Sequence, residues 1–102
     1  MEVIYDPDVA ITQSTLGLLY HMLRRFEEAE TAYQEALEID PRDSNTWYNK
    51  ACLESLRNFK EKSIESLKKA IDLDKKYIEM AKSDEDFDTI RTLKEFKEII
   101  GE

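Results

Sequence analysis

Glycine, proline and cysteine are all scarce in this sequence. Two glycines and two prolines occur among 102 residues, which leaves long stretches in which helices can form without interruption. Valine occurs only twice, a composition that disfavours a β-sheet protein. Cys52 is the single cysteine, so an internal disulfide and a multi-cysteine zinc site are both excluded. These shortages together predict an all-α protein.

Long apolar runs are also missing from the chain. No stretch approaches the roughly 20 apolar residues that a membrane span requires. No apolar segment follows a basic N-terminus, so no signal peptide is predicted. We therefore expect a cytoplasmic protein that has no membrane partner.

Acidic residues outnumber basic ones, and the net charge is −8. This charge disfavours a nucleic acid as the partner, because phosphate backbones attract cations. The charge is unevenly spread: residues 1–43 carry 10 acids and 3 bases, 44–77 carry 5 and 8, and 78–102 carry 8 and 4. The basic centre has two interpretations, namely solvated helix faces or head-to-tail attraction between copies of the chain.

A period of 34 residues organises most of the sequence. Asp6, Asp40 and Asp74 are separated by this interval, as are Ala36 and Ala70. A fixed period of this size is typical of stacked repeats, in which each unit covers the apolar face of its neighbour.

Two helices are predicted in each period, because apolar residues recur at intervals of three and four. In the first period the helices are expected at residues 9–23 and 26–39, separated by a short break. Ser44 or Asn45 is expected to cap the first helix of the second period. Gly17 lies inside a predicted helix, where glycine costs about 1 kcal/mol relative to alanine. We expect a second helix to approach closely at this glycine.

This pattern resembles the tetratricopeptide repeat, which is read as Trp-x2-Leu-Gly-x2-Tyr, then Ala-x3-Phe, then Pro. The first period matches the pattern at Leu16, Gly17, Tyr20, Ala29, Tyr33 and Pro41. Gln13 replaces the tryptophan of the pattern. The match in this period is specific because it includes the glycine and both aromatic positions.

The second period departs further from the repeat pattern. It retains Trp47 and Ala51 but has Lys50 and Glu54 where leucine and tyrosine are expected. Phe59 lies one residue early, so we expect a slightly different turn between the two helices of this period.

The resemblance implies a right-handed α-solenoid of antiparallel helix pairs. Four parts are expected: the tail of an incomplete repeat at 1–9, repeats at 10–43 and 44–77, and a C-terminal cap of short helices at 78–102. Apolar residues are expected to cover the second repeat, namely Tyr77, Ile78, Phe87, Ile90, Leu93, Phe96, Ile99 and Ile100. The first repeat has an uncovered N-terminal face, on which Ile4 and Tyr5 are expected to pack or to meet another copy.

The resemblance also implies a concave groove lined by the first helix of each pair, where family members hold a peptide or helix of a partner protein. The first-repeat positions are Ile11, Ser14, Thr15, Leu18, His21 and Met22. The second-repeat positions are Asn45, Tyr48, Asn49, Cys52, Ser55 and Leu56. This set has no charge and predicts a non-catalytic adaptor that binds an apolar or extended peptide. The alternative is a self-assembling oligomer that stacks through its N-terminal face.

Some family members clamp the carboxylate of a chaperone tail, and this subtype is disfavoured here. Asn49 stands at the asparagine position of the second repeat, but Ser14 and Leu18 stand where lysine and asparagine are required. A carboxylate needs a cation to offset its desolvation.

Acidic residues near the C-terminus have two interpretations. Asp84, Asp86, Asp88 and Glu95 fall at positions 1, 3, 5 and 12 of a calcium loop, but position 6 is a threonine instead of glycine. The favoured interpretation is that these acids cap helices. A calcium-responsive element is the alternative.

No catalytic site, metal site or cofactor is predicted. His21 is the single histidine, and no cysteine or acid neighbours it at ligand spacing. Cys52 has no paired histidine, and neither glycine belongs to a phosphate-binding loop. We therefore expect a protein that is not an enzyme.

Overall fold

The predicted all-α architecture is confirmed by the computed structural model, which describes residues 6–102. This part of the chain forms α-helices and one 3-10 turn, and it contains no β-strand. The helices are α1 (Pro7–Met22), α2 (Phe26–Ile39), α3 (Ser44–Leu56), α4 (Lys60–Leu73), α5 (Lys76–Ser83) and α6 (Lys94–Ile99), with the 3-10 turn at Glu85–Phe87. Ile4 and Tyr5, which were expected to pack on the first repeat or to meet another copy, lie outside the described residues.

The helix pairs begin at aspartates. The Asp6 carboxylate accepts a hydrogen bond of 2.9 Å from the backbone N–H of Asp8. Asp43 caps α3, since its carboxylate accepts from the N–H of Thr46 at 3.3 Å and from the hydroxyl of Thr46 at 2.7 Å. The prediction of Ser44 or Asn45 as the cap was therefore wrong, because the aspartate satisfies two groups of the first turn at once.

The turns within the two helix pairs have the same backbone geometry. Arg24 and Asn58 both adopt a positive φ, of 60° and 64°. In each turn the next residue donates a 2.8 Å backbone hydrogen bond to the carbonyl five residues earlier. The expectation of a different second turn was wrong, because Phe59 takes the place that Arg25 has in the first turn.

Gly17 allows α1 and α2 to pack closely, as predicted. A Cβ atom at this position would lie 2.5 Å from Cδ1 of Tyr33 and 2.6 Å from its Cε1. Tyr33 has no exposed surface and packs with Ala29 of its own helix and Leu53 of α3. The ring therefore has no room to move away from an added methyl group.

Gly17→Ala is expected to lower the free energy of unfolding by about 2 kcal/mol. Because the added methyl group would lie 2.5 Å from the Tyr33 ring, the overpacking cost is expected near the upper end of roughly 1–3 kcal/mol, and the better helix propensity of alanine returns about 1 kcal/mol. Urea denaturation measures the change, with the exposed Thr15→Ala as the control that is expected to stay within about 0.5 kcal/mol. Equal or higher stability of Gly17→Ala would contradict the close packing.

The two departures of the second repeat from the pattern form a buried ion pair. Glu54 has no exposed surface, and its carboxylate accepts from Lys50 at 2.9 Å and from the Ser66 hydroxyl at 2.5 Å. Glu30 of α2 lies 3.5 Å from the Lys50 ammonium and 3.9 Å from the Arg57 guanidinium. The pair thus connects α2, α3 and α4 at the junction between the repeats.

Burial is the main cause that raises the pKa of Glu30, and Glu54 adds to it while Lys50 opposes it. A carboxyl group with a raised pKa in the folded state contributes stability that is present below the unfolded pKa and lost as pH rises through the folded value. Acidification from pH 7 to 5 is therefore expected to stabilise the native chain relative to Glu30→Gln. Urea midpoints of both proteins at the two pH values test this, and an unchanged difference would contradict it.

The C-terminal segment shares one core with the second repeat. The side chains of Tyr77, Phe87, Ile90, Phe96 and Ile100 are buried in the same cluster as residues of α3 and α4. The rings of Tyr48 and Tyr77 stack at 4.8 Å between centroids. Across residues 6–102, no helix is both long and apolar enough to cross a membrane.

Candidate functional site

The predicted groove positions of α1 form an open strip of apolar and polar side chains. Their spacing of three and four residues places them on one side of the helix. Ile11 is 61% exposed, Leu18 41% and Met22 72%. Thr15 is also exposed, and Ser14 and His21 are half-buried. Apolar side chains with this much exposure on one helix face are typical of a surface that binds another molecule.

The equivalent positions of α3 are covered by the chain's own C-terminal segment. Tyr48, Cys52 and Ser55 are buried. The Tyr48 hydroxyl donates to the Asp84 carboxylate at 2.7 Å, and the hydroxyls of Ser55 and Thr89 lie 2.8 Å apart. Residues 84–89 thus lie along the groove of the second repeat.

The remaining second-repeat positions stay accessible to different degrees. Asn45 and Leu56 are exposed, and Asn49 is half-buried. The structure therefore divides the twelve predicted groove residues into an open set on α1, a border set on α3, and three residues of α3 that the cap covers.

Sequence reasoning missed the two cap residues that enter the groove, Asp84 and Thr89. The available signal was the acidic run after Ser83, which was interpreted as helix caps or as a calcium loop. Asp84 does cap the 3-10 turn, since one carboxylate oxygen accepts from the N–H of Asp86 at 3.0 Å. Its second oxygen accepts from Tyr48, and this contact depends on tertiary packing that spacing alone does not reveal.

Two carboxylates make one edge of the groove acidic. Ligand atoms of Asp84, Asp86 and Cys52 lie within 4.8 Å of one another. Burial raises the pKa of Asp86, and the neighbouring Asp84 adds to this rise. The groove residues of α1 and α3 are therefore uncharged, but Asp84 and Asp86 of the cap place negative charge beside them.

His21 lies between the open strip and the buried core. Its Nδ1 atom is 3.2 Å from the hydroxyl of Tyr33. Burial lowers the pKa of His21, although Asp86 and Asp84 oppose this effect. The imidazole is accordingly neutral near pH 7 and serves as a hydrogen-bonding group at the groove edge.

Cys52 is an unreactive thiol in this arrangement. Burial is the largest cause that raises its pKa, followed by the negative charge of Asp84. The thiolate is the nucleophilic and metal-binding form. With the Asp84 carboxylate already used by Tyr48 and by the backbone, the cluster favours hydrogen bonding over metal coordination.

Of the four calcium-loop acids, Asp84 and Asp86 lie close together, but Asp88 and Glu95 make other contacts. The Arg91 guanidinium donates to the carbonyls of Lys82 at 2.6 Å and Asp84 at 2.5 Å, and it pairs with Asp88 at 3.2 Å. Glu95 instead lines a cleft that faces α4. The guanidinium of Arg91 therefore binds the backbone at the start of this loop.

Comparison with known families identifies the repeats. A family model described as "Tetratricopeptide repeat" matches residues 10–43. A second model with the same description matches residues 32–65, which run from α2 into α4. A search of curated proteins found no significant match to this chain.

Proposed function

Because this chain belongs to the tetratricopeptide repeat family, we propose that it is a non-catalytic adaptor that holds a peptide segment of a partner protein along α1. Repeats of this family generally serve as protein–protein interaction modules. The proposed site consists of the open positions of α1, with Asn45, Asn49 and Leu56 of α3 at its border.

One observation carries this proposal. In the second repeat, the groove positions already hold a chain segment through side-chain contacts from Tyr48 and Ser55. The positions 34 residues earlier include Ser14, Leu18 and His21, and no segment of residues 6–102 covers Leu18 to the same extent, since it is 41% exposed while Cys52 is 3% exposed. The first repeat thus offers the same face without its occupant.

The chemistry of this face favours an apolar peptide that also carries a cation. Leu18 and Met22 supply apolar area, for which burial contributes about 25 cal/mol per Å². Asp84 and Asp86 lie at one edge, where a lysine or arginine of the peptide would complement their charge. Arg24, which follows α1, is a cation near this site and contributes to the lowered pKa of His21, after burial.

The proposal is tested by selecting peptides from a displayed random library against the native 102-residue chain. Selected peptides are expected to bind at least about tenfold more weakly to Leu18→Glu/Met22→Glu, because this variant loses the apolar area of both side chains. A tenfold change in Kd corresponds to about 1.4 kcal/mol. Met80→Glu is the matched control, since Met80 is 45% exposed on α5. Equal binding to all three proteins would refute the site on α1.

Self-assembly through the N-terminal face is the second candidate function. The observation in its favour is that Leu19 of this face is 50% exposed, whereas Leu53 at the equivalent position of α3 has no exposed surface. Sedimentation velocity between about 5 and 500 μM tests it, a range in which weak homodimers with micromolar Kd are populated. A single monomeric species throughout would remove this candidate.

The cytoplasm is the proposed location. The free Cys52 is buried and unpaired within the described part of the chain, and reduced cysteines are usual in reducing compartments. The net charge of −8 further supports a protein partner over a nucleic acid.

A further inference from the structure

The N-terminal face of α1 presents apolar residues at positions that are buried or half-buried in α3. We define this face by Leu16, Leu19, Tyr20 and Leu23. The residues 34 positions later in α3 are Lys50, Leu53, Glu54 and Arg57. Leu19 is 50% and Leu23 67% exposed, while Leu53 has no exposed surface.

The packing of α2 on α3 shows what kind of element covers such a face. Leu53 packs against the small Ala29 and the ring of Tyr33. Beside this apolar ridge, Glu30 of α2 faces two cations of α3, Lys50 at 3.5 Å and Arg57 at 3.9 Å. The covering element is thus an amphipathic helix whose charged residue matches charges beneath it.

A helix that covers the N-terminal face requires a residue other than glutamate at the position that Glu30 has in α2. Lys50 is replaced there by Leu16, and Arg57 is replaced by Leu23. A carboxylate set over these leucines would lose its hydration, which is costly without a cation as partner. The cation beside the face is Arg25, whose guanidinium lies 5.3 Å from the Tyr20 ring centroid and already pairs with Glu28. A helix that lies on α1 as α2 lies on α3 therefore needs an apolar residue at this position.

The rim of the face is acidic. A cleft of about 430 Å³ between α1 and α2 is lined by Glu27, Glu28 and Glu35. Arg25 offsets Glu28 through hydrogen bonds of 2.6 and 2.8 Å. Within residues 6–102, Glu27 and Glu35 have no cation within 4 Å.

The corresponding cleft of the second repeat has the opposite charge on its helix α4. There Lys62 and Lys69, 34 residues after Glu28 and Glu35, line a cleft together with Glu65 of α4 and Gln34 of α2. The α4 side of this cleft thus carries two cations and one carboxylate, whereas the α2 side of the first cleft carries three carboxylates. A helix on the N-terminal face is expected to carry lysine or arginine where α2 carries Gln34.

We propose that the N-terminal face binds an amphipathic helix of a partner protein that has a wholly apolar ridge and a basic flank. This site is distinct from the groove of α1, because Leu19 and Leu23 lie on a different side of the helix from Leu18 and Met22. Its occupant extends the helix stack by one element.

A second copy of the chain, which is the occupant in the self-assembly candidate above, matches this chemistry less well than a basic amphipathic helix. Its α2 is acidic, and the outer side of its α4 is already in contact with α5 and α6. A symmetric pair of N-terminal faces would bring the glutamates of both rims together, and like charges disfavour that contact.

The test uses two peptides with the sequence of residues 25–40, in which the glutamates other than Glu30 are replaced by glutamine. One peptide keeps Glu30 and Gln34, and the other carries Glu30→Leu and Gln34→Lys. Fluorescence anisotropy with the full 102-residue chain is expected to show at least about tenfold tighter binding of the second peptide, since 1.4 kcal/mol corresponds to one tenfold step.

Three variants of the chain locate the peptide. Leu19→Ser/Leu23→Ser is expected to abolish the tighter binding, and Glu27→Gln/Glu35→Gln to weaken it severalfold and to reduce its salt dependence. Leu18→Glu/Met22→Glu alters the groove of α1 and is expected to leave the binding unchanged. This variant therefore separates the N-terminal face from the groove.

Three outcomes would overturn the proposal. They are equal affinity for both peptides, loss of binding in Leu18→Glu/Met22→Glu alone, and a concentration-dependent homodimer that Leu19→Ser/Leu23→Ser disrupts. Both leucines are exposed, so the serine variant is expected to keep the native circular dichroism spectrum and thermal transition.

Discussion

Phe87→Ala is expected to lower the free energy of unfolding by about 3–5 kcal/mol. Phe87 has no exposed surface, and its ring centroid lies 5.5 Å from that of Tyr48 and 5.8 Å from that of Phe96. The substitution leaves a cavity between the cap and α3. Because domains of this size have a total stability of about 5–15 kcal/mol, urea denaturation detects the loss readily.

The rate of thiol labelling at Cys52 shows which part of the molecule Phe87 stabilises. Cys52 is 3% exposed beneath residues 84–89 and reacts only when this segment opens. Labelling is expected to be at least about tenfold faster in Phe87→Ala. This rate corresponds to a decrease of at least about 1.4 kcal/mol in the free energy needed to open residues 84–89. Met80→Ala is the exposed control on α5. Lower stability with unchanged labelling would contradict the covering of the second-repeat groove by the cap.

Lys50→Met is expected to destabilise the chain by about 3–5 kcal/mol. The change removes the cation from Glu54, which has no exposed surface, and leaves Glu30 close to it. A buried charge without a partner costs much more than the intact ion pair contributes. Urea denaturation at pH 7 measures the effect.

The double variant Lys50→Met/Glu54→Met provides the control for this ion pair. Both replacements keep the approximate length of the side chain, and exchanging a buried pair for apolar residues is often neutral or stabilising. The double variant is therefore expected to recover most of the stability that Lys50→Met loses. Additive losses in the double-mutant cycle would show that the two side chains act independently.

The sequence predicts the helices and their pairing well because these depend on local spacing. The 34-residue period and the break at Arg24 and Arg25 place α1 and α2 within two residues of their ends. The close approach at Gly17 also follows from local chemistry, since a glycine inside a helix requires a packing reason. Spacing is less informative about α3, where Asp43 competes with Ser44 and Asn45 for the cap.

The candidate site is harder to predict, because it depends on contacts between residues far apart in the chain. The spacing places Tyr48, Cys52 and Ser55 on the groove side of α3, but it does not reveal that Asp84 and Thr89 cover them. Contacts across 34 or 36 residues, such as those of Ser55 and Tyr48, form only in the folded chain.

The unusual residues of the second repeat have a similar explanation. Lys50 and Glu54 look like departures from the repeat pattern when each is considered alone. In the structure Lys50 and Glu54 form an ion pair, and Lys50 also pairs with Glu30 of α2. A pattern taken along one helix misses this third partner, because it belongs to the neighbouring repeat.

Mapping of amide chemical shifts is the most direct test of the proposed adaptor function. A library-selected peptide is titrated into the isotopically labelled native chain, and the perturbed backbone amides are assigned. The proposal predicts that the largest changes centre on Ile11, Leu18 and Met22, with smaller changes at Asp86. Changes centred instead on the cap or on α4, with the amides of α1 unaffected, would contradict binding in the groove of the first repeat.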